Sequence, residues 1–208
     1  MPTPAWLNEF PSLKAMFEAW MAREVVPIEV FNAMAEETRA SAFSAVVTMN
    51  DNQRKRLLDA IGKAIVEGQT VKDLRDAVAP LLENPAYADL VYRVNTTNAF
   101  NGAKYGDMFG KLGADYPYWR FNAVMDSRND EDEECPNTIC RALDGKVFAK
   151  NDAALRHLLP PVHFQCRCIA EEIGQEEAGT LTVASSFHLR PASGWDFDKL
   201  SLVPGGMR

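Results

Sequence analysis

Five side chains in one short stretch have the types and spacing to hold a metal ion. Cys135 and Cys140 bracket the segment Cys135-Pro-Asn-Thr-Ile-Cys140, and His163, Cys166 and Cys168 close the stretch as His163-Phe-Gln-Cys166-Arg-Cys168. The four cysteines are the only ones in the 208-residue chain. Thiolate sulfur and imidazole nitrogen are the donors that Zn²⁺ takes in tetrahedral structural sites. Two short clusters separated by roughly 20 residues can close on one ion. On an extended segment Cys166 and Cys168 would point to one face while Arg167 points away. His163 with Cys166 is an equally good pair, so five candidates compete for four places. The alternative is packing alone, with the thiols as small buried apolar groups and His163 in a loop. Such clustering is uncommon for packing, and the metal reading is preferred.

The ion would be structural. A catalytic zinc keeps an open position beside a general base, whereas this set offers a full complement of protein ligands. A zinc deaminase would show His-x-Glu and Pro-Cys-x-x-Cys. Here Phe164 and Gln165 follow His163, and the first cluster is Cys-Pro-x-x-x-Cys. The acidic run Asp130–Glu134 has Cys135 where a calcium loop needs its sixth-position glycine, and it reads as a solvated loop. Asp126-Ser-Arg128 reads as a turn, since no Ser-His-Asp or Cys-His arrangement surrounds it. His157 and His188 stand alone. No catalytic residue is assigned, and the chain reads as a non-enzyme.

The elements that must position this cluster follow from apolar periodicity and helix punctuation. Leu13, Met16, Phe17 and Trp20 recur at helical spacing after Pro11, and Pro27 opens a second helix carrying Val30, Phe31, Met34 and later Phe43, Val46 and Val47. A third helix starts at Asn50 or Asp51, buries Leu57, Leu58, Ile61 and Ile65, and stops at Gly68. Thr70 with Asp73 forms a capping box before Leu74, Val78, Leu81 and Leu82, and Asn84-Pro85 opens a long helix that runs to Gly110 or Gly113. From Tyr116 the pattern alternates, as a strand does. Shorter strands are expected at Lys146–Phe148 and Arg167–Glu171. Glycine and proline after Gly174 predict an extended arm.

The fold class is therefore α+β: a helical domain over 1–113, a small zinc-stabilised α+β module over 114–178, and an extended C-terminal arm over 179–208. The net charge of −7 argues against a general nucleic-acid coat, because phosphate binding is mainly neutralisation by Lys and Arg. No apolar run reaches about 18 residues and no signal-peptide centre opens the chain, so no membrane partner is expected. Synthesis in a reducing cytoplasm also favours metal over disulfides.

Several motifs occur in one order: Arg93-Val-Asn95, Asn98-Ala-Phe100, Tyr116-Pro-Tyr-Trp119, Asp126-Ser-Arg128, Leu143-Asp-Gly-Lys-Val-Phe148, Pro160-Pro161 and Cys166-Arg-Cys168, with Gly194-Trp-Asp-Phe197 beyond them. In this the chain resembles the phage Mu F-like and SPP1 gp7-like minor head proteins over residues 85–205. At the positions of Cys135 and Cys140 many relatives carry a polar residue or histidine, so the resemblance does not itself imply the metal. It implies a head-morphogenesis protein present in several copies in the virion and made in the host cytoplasm. The implied partners are the portal protein or the major capsid protein, with packaged DNA a further contact. The competing readings are a zinc-dependent hydrolase using Asp126 or Glu171 as base, and a zinc-stabilised nucleic-acid module with Arg120, Arg128, Arg141, Arg156 and Arg167 as its patch.

Overall fold

Capping chemistry sets the helices of the N-terminal part. The computed structural model describes residues 3–26, 30, 42–43, 50–81, 97–98, 100–125, 138–163, 166–192 and 195–203. The chain divides into two units, Met1–Ala103 and Lys104–Arg208, so residues 179–208 lie inside the second. In the first unit, α1 (Pro11–Met21) begins with proline in its first turn. Helix α2 (Asp51–Glu67) begins at Asn50, whose Oδ1 accepts from the Gln53 N–H at 3.0 Å while Gln53 Oε1 accepts from the Asn50 N–H at 2.9 Å. It ends at Gly68, where φ of 62° is a left-handed conformation that glycine adopts without strain. Thr70 and Asp73 form the same reciprocal box at the start of α3 (Val71–Val78).

These helices share one core. Leu57, Leu58, Ile61 and Ala64 of α2 meet Leu74, Val78 and Leu81, with Trp20 of α1 filling the centre. The Trp20 indole donates to the Leu58 carbonyl at 3.4 Å. Gly62 sits where α1 crosses, since a Cβ there would lie 2.5 Å from Met21 Sδ and 3.5 Å from the Trp20 ring.

Two expectations in this unit need correction. Val30 is helical but 49% exposed, so it does not contribute to a buried stripe. Phe43 is not helical: β2 (Ala42–Phe43) pairs in parallel with β1 (Glu24–Val25). The partner of Phe43 is the β-branched Val25, a distant residue that helical periodicity around Phe43 could not reveal. Phe31, Met34, Val46, Val47, Leu82, the Asn84-Pro85 start, Arg93-Val-Asn95, Asp126-Ser-Arg128, Asp130–Glu134 and Cys135 lie outside the described residues.

The second unit is α+β. Helical residues 104–108 end at Met108, just short of the expected Gly110. A four-stranded sheet among the described residues has the order β5-β3-β4-β6, from β3 (Tyr118–Asn122), β4 (Val147–Ala149), β5 (Ile169–Ile173) and β6 (Val183–Ala184). β3 is antiparallel to both neighbours, and β6 is parallel to β4. Alternation along β3 buries Trp119 and Phe121, and Trp119 stacks on Phe148 with ring centroids 4.6 Å apart.

The Leu143–Phe148 motif is a turn that enters this sheet. Asp144 Oδ1 accepts the Ala123 N–H at 2.9 Å, Gly145 takes φ of 71° and donates to the Phe121 carbonyl, and Val147-Phe148 then enters β4. Lys150 fastens the preceding loop to the sheet, its ammonium donating to the Met108 and Gly113 carbonyls and to Glu172 Oε1.

The tail expected as an extended arm runs largely exposed over 179–190 and is packed beyond that. It contains α5 (Gln175–Ala178), β6 and a 3₁₀ turn at Lys199–Leu202, and Trp195, Lys199 and Leu200 are buried. Scattered glycine and proline break regular structure without preventing burial of the apolar residues between them.

Candidate metal centre

The core of the second unit holds the thiols. Helix α4 (Thr138–Leu143) turns Ile139, Cys140 and Leu143 inward. His163 follows Leu159, the cis-linked Pro160-Pro161 pair and Val162, and Cys166 and Cys168 lie on the extended approach to β5. Burial along that approach alternates, with Cys166 and Cys168 inward and Arg167 exposed, as the period of two requires.

Cys140, His163, Cys166 and Cys168 are each at most 4% exposed. Cys140 Sγ lies 3.1 Å from His163 Nε2 and 3.9 Å from Cys166 Sγ, and these three ligand atoms all fall within 4.8 Å of one another. A tetrahedral zinc with Zn–S of about 2.3 Å and Zn–N of about 2.0 Å puts its ligand atoms roughly 3.5–3.8 Å apart. The spacing therefore fits an ion and is far too long for a disulfide, and the three described cysteines are free thiols.

Electrostatics agree with that donor set. Burial pushes His163 below its ordinary pKa, which keeps the imidazole neutral and its lone pair available. Hydrogen bonds from Cys140 and Cys166 pull the Cys168 thiol below its ordinary value. Cys140 is pushed upward by its hydrogen bonds with Cys166 and Cys168. The three thiols share one site, and a divalent cation would relieve their mutual repulsion.

The carboxylate named as a possible base is engaged elsewhere. Glu171 Oε2 accepts from Arg120 Nε at 3.0 Å, Arg120 Nη2 at 2.8 Å and Asn122 Nδ2 at 2.6 Å, and strand alternation turns it away from Cys168 and Ala170. Asn122 and Arg120 hold its carboxyl below the ordinary range. A depressed folded-state pKa contributes stability above the unfolded value near 4.3, lost as pH falls through the folded one. Glu171→Gln is thus expected to cost under about 1 kcal/mol at pH 7, because the pair is partly solvent-exposed, and less at a pH well below the unfolded carboxylate value. Denaturant melts at both pH values check this; a cost that grows in acid would refute it.

The arginine patch is partly neutralised. Arg120 pairs with Glu171 and Glu177, and Arg156 lies 3.6 Å from Asp198. Arg141 and Arg167 are exposed, and Arg128 lies outside the described residues. Sequence reasoning missed Lys199, whose ammonium donates to the carbonyls of His157, Trp195 and Phe197. No sequence signal separates it from a surface lysine.

A mixed α+β unit built around a buried group of thiols and imidazole defines the class: a small domain with a cluster able to hold a metal. The chain belongs to the family described as Phage Mu protein F like protein, whose model matches residues 55–171. It is 29% identical over 94 residues to the Mu-like prophage FluMu F protein of Haemophilus influenzae, covering 45% of this chain and 21% of that one. It is 23% identical over 155 residues to the putative capsid assembly protein F of Escherichia phage Mu, covering 64% of this chain and 34% of that one. The chain thus spans about a fifth to a third of the length of these relatives. No solved structure matches. Among the described residues no helix is long and apolar enough to cross a membrane.

Proposed function

We propose that this chain is a minor head protein that takes part in phage head assembly at the portal or the inner capsid surface. The observation that carries this is the family match over residues 55–171, which takes in most of α2, all of α3, the sheet strands β3 and β4 and the thiol cluster. The relative from phage Mu is named as a capsid assembly protein. Such work is done by surfaces and not by a reaction, and a saturated structural ion suits it. The partners are the portal protein or the major capsid protein, with packaged DNA a further contact. Several copies enter each virion, after assembly in the host cytoplasm.

In this reading the Cys140–His163–Cys166 group holds Zn²⁺. Sulfur and imidazole donors in a dry core select zinc over magnesium or calcium, which prefer oxygen. The ion ties α4 to the loop that leads into β5 and performs no chemistry on a substrate. A hydrolase would need an open position and a base, and Glu171 is turned away from the cluster.

Deleting the gene from an inducible prophage tests the assembly role. Particles recovered from the deletion should be misassembled or lack DNA, and tagged protein should co-purify with portal or capsid protein from procapsids. Normal infectious heads from the deletion would refute it.

A further inference from the structure

We infer that Cys168 is the fourth ligand, so that the ion sits in a closed Cys₃His set made by Cys140, His163, Cys166 and Cys168, with Cys135 outside the coordination sphere. This rests on the zinc reading above and adds to it the ligand that the group of three leaves open.

The argument begins with reach. The Cys168 thiol stands outside the group of three whose ligand atoms all fall within 4.8 Å of one another, but it is near enough to those of Cys140 and Cys166 to share hydrogen bonds with both. It is 2% exposed and lies in the same apolar cluster as the other two cysteines. Its neighbour Arg167 points outward, as an ordinary extended segment demands, so no unusual backbone is needed to bring both thiols of Cys166-Arg-Cys168 to one point.

The second part is what surrounds the sulfurs. Zinc thiolates in structural sites are steadied by groups beyond the ligands, which orient the donors and disperse their charge. Here the backbone N–H of Val162 meets Cys166, and that of Val124 meets Cys168. Cys168 is therefore served by the backbone in the same manner as Cys166, a ligand by the spacing of the three. A cysteine buried only for packing needs no such donor.

The last part is valence. Three thiolates and one neutral imidazole fill the tetrahedral shell of Zn²⁺. Four places occupied by Cys140, His163, Cys166 and Cys168 leave none for Cys135 and none for a substrate.

The test uses the full chain purified with zinc, then exchanged to Co²⁺, whose thiolate charge-transfer absorption scales with the number of sulfur ligands. The native chain should bind one metal, and Cys135→Ser should leave stoichiometry and spectrum unchanged. Cys168→Ser should lower affinity by at least about 100-fold and remove about a third of the charge-transfer intensity. Where Cys168→Ser does not fold, alkylation of the native zinc-loaded chain followed by mass spectrometry decides: Cys140, Cys166 and Cys168 should be protected until chelator is added, and Cys135 labelled throughout. Stoichiometric metal that survives Cys168→Ser but is lost in Cys135→Ser would overturn the assignment and leave the zinc reading standing. Absence of metal from the native chain would overturn both.

Discussion

Removing the ion with a strong chelator is expected to lower the melting temperature of the second unit by roughly 15–30 °C while the first unit keeps its helices. A ligand bound only to the native state stabilises it by about 4 kcal/mol at a free concentration 1,000 times its dissociation constant. For a unit of this size each kcal/mol moves the midpoint by about 4–8 °C. The stabilisation falls on the second unit because every candidate ligand in the described structure lies there, on α4, on the loop after Leu159 and on the approach to β5. Without the ion, the described residues of those three segments are joined near the cluster by thiol contacts, the Cys166 N–H bond to the His163 carbonyl and apolar packing. Cys140→Ser should reproduce the effect, since it removes the donor that contacts both His163 and Cys166. Calorimetry with and without chelator reads the shift, and far-ultraviolet circular dichroism follows α1 and α2. An unchanged midpoint, or loss of all helicity at once, would contradict this account.

What the sequence disclosed depended on how local the interaction was. The helix start at Asn50, the Thr70–Asp73 box and the Gly68 stop are hydrogen-bonding decisions made within four residues, and all three stand where the pattern placed them, whereas the reciprocal Gln53 bond at Asn50 is added by the structure. The strand at Tyr118–Asn122 was legible because alternation is local as well. Phe43 in β2 was not, because its strand exists only through pairing with residues near position 25. The cluster divides along the same line. The shared face of Cys166 and Cys168 was legible from their spacing, whereas bringing Cys140 and His163 within 3.1 Å depends on a helix and a proline-bearing loop whose meeting is tertiary. The buried part of the tail was hidden for that reason too: Leu200 packs in one cluster with residues far away in sequence such as Trp119, Phe148 and Leu158, which glycine and proline counts do not report.

Lys199→Met is expected to destabilise the second unit by about 3 kcal/mol and to open residues 179–203 to protease. Lys199 has no exposed surface, and its ammonium donates to the His157 carbonyl at 3.0 Å, the Phe197 carbonyl at 3.3 Å and the Trp195 carbonyl. The Phe197 ring lies 4.2 Å from Nζ, a distance at which the aromatic face attracts a cation. Methionine keeps the buried stem but removes the donors, leaving three carbonyls without the partner that made their burial tolerable. Hydrogen bonds to a charged group are worth about 1.5–3 kcal/mol each, and part of that sum is returned because a charge no longer has to leave water. The clamp joins the tail to the 3₁₀ turn at Ala153–Leu158, and one step along the same chain the Ala192 N–H donates to the Val162 carbonyl at 2.9 Å, beside His163. Loosening the tail should therefore also quicken zinc loss, measured as the rate of transfer to a chromogenic chelator. A neutral or stabilising Lys199→Met would mean that burying the ammonium costs as much as its three bonds return, and that apolar packing of Trp195 and Leu200 alone holds the tail in place.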